Sequence, residues 1–142
     1  RPYPRPSEIR EPLVLLGSPN DWDQALANSK FKLHPTGPKE ASYQESKLVL
    51  SVPVDGISFQ IQSLKRGQKW KLMPSGKANQ LKDCDRSCVQ AQIYVDDQPQ
   101  KMPPHSDHCF HIEAGDSSAM VEVWVSLGVG SAVEVWFMDL VG

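Results

Sequence analysis

The sequence predicts an all-β fold, an antiparallel β-sandwich with seven to nine strands and at most one or two short helices. Three observations carry this. Apolar and polar residues alternate with period two in run after run, and turn residues separate the runs every 8 to 12 positions. Twelve prolines and nine glycines are scattered through the chain, which breaks it into short elements. Only one segment carries a helical signal, and it is short. Spacing of this kind suits an immunoglobulin-like or a jelly-roll-like arrangement.

The elements follow in order. Residues 1–12, RPYPRPSEIREP, hold four prolines and no periodic apolar pattern, so they read as an extended Pro-rich tail. Leu13 to Leu16 (LVLL) reads as a buried first strand, ended by Gly17-Ser18-Pro19-Asn20. Asp21 to Ser29 is the helical candidate, with Asn20 or Asp21 as its N-cap. Lys47 to Val52 is a strand that stops at Pro53, and Gly56 turns the chain into the next one. There Ile57, Phe59 and Ile61 alternate with Ser58, Gln60 and Gln62, which predicts one buried and one wet face. Residues 65–68 form a hairpin loop. In KWKLM, Trp70 and Leu72 then share a face opposite solvated lysines. Val89 to Val95 alternates again, after a turn at residues 74–77 and before another at 96–99.

The last two runs, AMVEVWVSL and AVEVWFMDL, form the strongest signal. A three-residue loop at 128–130 sets Val125 opposite Val133, Val123 opposite Val135 and Val121 opposite Phe137. It also sets Trp124 opposite Glu134 and Glu122 opposite Trp136. One face of this hairpin is then wholly apolar, and the other carries two tryptophans and two glutamates.

The 142 residues suit one domain, placed at 13–142 behind the tail. Fifteen basic and seventeen acidic side chains give a formal charge of −2 with no basic stripe, which argues against a nucleic-acid partner. No window of 18 apolar residues exists, so no membrane-spanning segment is expected in this chain. Cys84, Cys88 and Cys109 are disulfide candidates, either Cys84 with Cys88 or one of the two with Cys109. Two close cysteines in a β-rich chain favour an extracellular or secretory-pathway location.

The stretch PPHSDHCFHI places His105, Asp107, Cys109 and His111 on one side of a strand. All four are zinc-ligand types. However, same-face neighbours stand ~7 Å apart along a strand, so four in a row cannot converge on one ion. We therefore expect no metal site and no cofactor. No catalytic residues are assigned either, because no constellation combines nucleophile, base and charge stabiliser. The candidate binding residues are Trp22, in a loop beside Asp21 and Asp23, and Trp124 and Trp136 with Glu122 and Glu134. If the hairpin valines face the core, the two tryptophans form an exposed aromatic pair rimmed by carboxylates.

The function expected is a non-catalytic extracellular or luminal module for protein–protein recognition. The stretch LLGSPNDWDQALANSKFKL is similar to the first strand and loop of starch-binding-type β-sandwiches, a similarity confined to these residues. It implies a carbohydrate-binding alternative, in which exposed tryptophans stack on sugar rings and a glycan replaces the protein partner. A structural or capsid-like assembly subunit is the third possibility for a jelly-roll-like chain.

Overall fold

Nine strands and one α-helix are present among the residues that the computed structural model describes, which are 12–36, 44–74, 89–95, 109–113, 115, 117–127 and 133–140. The strands are β1 (Leu13–Gly17), β2 (His34–Thr36), β3 (Gln44–Val52), β4 (Ile57–Ser63), β5 (Gly67–Pro74), β6 (Val89–Val95), β7 (Phe110–Ile112), β8 (Ala119–Leu127) and β9 (Val133–Asp139). Helix α1 spans Gln24–Lys30. The fold is all-β, as the period-two runs require.

Every ladder is antiparallel, and neighbours follow the order β1-β4-β5-β6-β9-β8-β3-β2. Phe59 of β4 pairs with Gly17 on one edge and with Phe110 on the other, so β7 shares an edge of β4 with β5. Two sheets result, and two devices join them. The first two residues of β6 pair with β9 and its last five with β5. At the opposite margin, Leu15 donates to the Phe31 carbonyl and Leu33 to that of Leu13, around a bridge between Val14 and Lys32. The same segment then runs on as β2 and pairs with β3. The ring of hydrogen-bonded neighbours thereby closes, which leaves little bare edge. Pro35, exposed in β2, lacks the N–H that another strand would use.

The odd-numbered side chains of β1, β4, β8 and β9 and the even-numbered ones of β3, β5 and β7 meet in one cluster. Leu15, Phe59, Ile61, Trp70, Leu72, Phe110, Val123, Val125, Leu127 and Val135 are all fully buried there. Residues of both sheets belong to this one core. Each such side chain is worth ~1.5–3 kcal/mol. Within the first sheet, β1 and β4 come very close at Gly17, where an added Cβ would lie 2.2 Å from the Ser58 carbonyl oxygen.

Several expectations are corrected. The helix begins later than its sequence suggests, and its N-cap is Asp23, whose side chain accepts from the Leu26 amide at 3.2 Å. Asn20 and Asp21 belong instead to a preceding 3-10 turn. There the Asn20 side chain accepts from Gly17 N and donates to the Leu15 carbonyl.

The second face of β4 is not wet. Gln60 and Gln62 are buried, as are Val14, Leu16, Lys71 and Met73. Lys71 is therefore not on a solvated face, although Lys69 is. This second layer lies outside the main cluster and holds both glutamines and the lysine.

Cys109 is a free, buried thiol, which removes it from the disulfide candidates. It sits one residue beyond the β4–β7 ladder, in register with Gln60. Cys84, Cys88, His105, Asp107 and the loop glycines of the last hairpin lie outside the described residues, as does the tail at 1–11.

Candidate functional site

The hairpin register differs from the one expected by two residues. Val125 faces Val135, Val123 faces Phe137, and Leu127 faces Val133, so five residues separate the last pair rather than three. A slip of two keeps every side chain on its own face, because the period of a strand is two. The valines remain core and the tryptophans remain outward. What changes is who meets whom: Trp124 now stands directly opposite Trp136, and Glu122 opposite Met138.

Strand β3 completes the surface. Its ladder to β8 sets Lys47 beside Trp124, Val49 beside Glu122 and Ser51 beside Met120. The outer face of β3, β8 and β9 therefore reads as a grid. One row is Lys47, Trp124, Trp136, and the next is Val49, Glu122, Met138. The third is Ser51, Met120 and Leu140, the last tied by its amide to the Met120 carbonyl.

The first row is a locked polar–aromatic cluster. The indole rings of Trp124 and Trp136 stack with centroids 5.8 Å apart and planes 7° from parallel. The Lys47 ammonium lies 5.4 Å from the Trp124 ring centre. Lys47 comes from the β3 side and Trp136 from the β9 side, so the Trp124 ring has a neighbour from each adjoining strand. Glu122 closes the network: Oε1 accepts the Trp124 indole N–H at 2.8 Å, and Oε2 pairs with Lys47 Nζ at 3.3 Å.

Of the five candidate binding residues, three thus meet in one network: Glu122, Trp124 and Trp136. Trp136 is only 5% exposed and Trp124 is half-buried, so the pair is not the exposed platform that alternation alone suggests. Glu122 is already committed within the cluster. Glu134 lies on the same face one row away, opposite Ser126. Trp22 is on a separate turn after β1.

The second and third rows carry what the sequence reading overlooked. Val49, Met120, Met138 and Leu140 are 38–47% exposed and all lie in these two rows, with Glu122 between Val49 and Met138. Alternation puts Met120 and Met138 on the outer face. Val49 joins them only through the β3–β8 ladder, which spans some seventy residues of chain and leaves no mark in local sequence.

At Trp22 the backbone is unusual. Asp21 and Trp22 have φ of 54° and 58°, and Asp23 N donates to the Asn20 carbonyl, the pattern of a type I′ turn. Gly, Asn or Asp suit such positions, whereas a tryptophan there costs ~1–2 kcal/mol. Trp22 is half-buried and not among the side chains packed against the main core.

A second polar group appears on β4 and β7. Ser58 Oγ and His111 Nδ1 are 2.6 Å apart across the ladder, and both line a pocket of about 430 Å³ with Asp55 and Glu113. Among the described residues, no three His, Cys, Asp or Glu side chains are grouped to hold a metal ion, and no helix is long and apolar enough to cross a membrane. Comparison with known proteins gives no match among protein families, curated sequences or solved structures.

Proposed function

We propose that this chain is a non-catalytic recognition module that binds a protein partner through the outer face of β3, β8 and β9, in an extracellular or luminal setting. The observation that carries the reading is the exposure of Val49, Met120, Met138 and Leu140 on two neighbouring rows beside the locked Trp124–Trp136 cluster. Adjacent exposed apolar side chains with a polar rim are what a partner desolvates. Methionines adapt to the shape of what they meet. The stacked indoles in the next row give the face a rigid flank, because Lys47 and Glu122 hold the Trp124 ring in place.

Peptides selected on the folded domain from a random display library test this. The Met120→Glu/Met138→Glu variant is expected to weaken them by about tenfold or more while its melting temperature stays near wild type. Undiminished binding to that variant would place the recognition surface elsewhere.

A glycan reading keeps one specific support, the strained turn that holds Trp22 between the exposed carboxylates of Asp21 and Asp23. Trp124 and Trp136 support it less, because Trp136 is buried and Trp124 is half-buried and stacked on it. Glycan binding that disappears in Trp22→Ala and survives in Met120→Glu/Met138→Glu would favour it.

A further inference from the structure

The apolar face continues beyond β3. Val49 also lines a groove of about 470 Å³, which passes Phe31, Lys30 and Pro53 and reaches Ser18. Ser18 in turn lines the pocket of Ser58 and His111, and its hydroxyl accepts from the Ser58 amide at 3.1 Å. The groove thus shares Val49 with the outer face and Ser18 with the pocket, which places the three side by side.

The charge along that surface is uneven. Asp55 and Glu113 line the pocket, both exposed, and no lysine or arginine does among the described residues. The hydroxyls of Ser18 and Ser58 add acceptors, and the contact between Ser58 and His111 fixes the imidazole against the pocket wall. The groove end carries Lys30, whose charge opposes a second cation there.

We infer that the partner of the proposed recognition face is an extended peptide segment carrying a lysine or arginine, whose cation enters the Asp55–Glu113 pocket while its apolar side chains lie along Phe31 and Val49. The inference rests on the protein-recognition reading above and adds the chemistry of the partner. Two carboxylates in one open pocket attract a cation through charge-assisted hydrogen bonds. The ammonium of Lys30 sets the direction, since the basic residue is favoured only at the acidic end.

The probes are two capped dipeptides, acetyl-Val-Lys-methylamide and acetyl-Val-norleucine-methylamide, which differ in the terminal ammonium. Each is titrated into the ¹⁵N-labelled protein at neutral pH. The lysine probe is expected to shift the amides of Ser58, His111 and Glu113 and to bind about tenfold tighter than the norleucine probe. Asp55→Asn/Glu113→Gln should erase that preference, and both positions are exposed, so the variant should fold. Equal affinity of the two probes, shifts elsewhere, or a preference that survives the double variant overturns the inference. The Met120→Glu/Met138→Glu variant separates the two claims. It leaves the lysine preference in place if the pocket acts as inferred, whatever it does to binding on the face.

Discussion

Trp124 lies flat against Trp136 across the β8–β9 ladder, with ring centroids 5.8 Å apart. The pair faces away from the main core, yet Trp136 is nearly as buried as a core residue. These two indoles are therefore scaffold for the outer face rather than its contact residues. Trp136→Ala should cost ~3–5 kcal/mol, as for other buried tryptophans. Trp124→Ala should cost less, because that ring is half-buried. A double-mutant cycle should return ~0.5–1.5 kcal/mol of coupling. Two variants with near-native melting temperatures would show instead that the tryptophans are contact residues.

Gly17 should be irreplaceable for a reason unrelated to its dihedral angle, since its φ of 179° suits any residue. The obstacle is the Ser58 carbonyl oxygen, 2.2 Å from the Cβ that alanine would bring, with Phe59 backbone close behind. Gly17→Ala has to push β1 away from β4. It should lower stability by several kcal/mol or abolish folding, on the scale of other overpacked sites. Thermal denaturation beside Gly67→Ala makes a suitable pair, because Gly67 has open space around its Cβ position and only a strained φ of 58°. Equal losses in the two variants would contradict the close approach.

Trp22 offers the opposite test. If its side chain is kept for recognition, Trp22→Gly should relieve a strained φ and leave the melting temperature unchanged or raised, by up to ~1 kcal/mol in stability. A loss above ~2 kcal/mol would mean that the ring is needed for packing, and the strain would then have a structural cause.

The strand pattern was legible in the sequence because burial on one side of a sheet imposes period two. Val121, Val123, Val125, Val133 and Val135 are core residues where alternation places them. Register was not legible, because a slip of two preserves every face and only the five residues between Leu127 and Val133 distinguish the two pairings. Gln60 and Gln62 show a different limit. Their alternation with Phe59 and Ile61 is real, but what buries a sheet's second face is set by distant parts of the chain. The candidate site shares that limit. Lys47 meets Glu122, and Ser58 meets His111, only through ladders between strands far apart in sequence.

Cys109 should make the stability of the protein sensitive to alkaline pH. Burial pushes its thiol from 9.0 up to about 11, with the Lys71 charge acting the other way. The unfolded chain ionises near 9 while the folded protein holds the proton. The group's contribution is therefore complete below pH 9 and is lost as pH rises toward 11, up to roughly 2–3 kcal/mol. The stability gap between wild type and Cys109→Ala, measured by urea denaturation, should shrink over that window. Iodoacetamide at pH 8 should spare Cys109 until the protein unfolds. A constant gap and rapid alkylation would contradict a buried, protonated thiol.

The recognition face is most directly tested at its own methionines. With ¹³C-methyl-labelled methionine, Met120 and Met138 report on the outer face, and Met73, only 5% exposed in the second layer of the other sheet, serves as the internal reference. As a library-selected peptide is titrated to saturation, the Met120 and Met138 methyl signals should shift together with one affinity while Met73 stays in place. Saturable binding that leaves both outer methyls unmoved would contradict the assignment of this face to partner recognition.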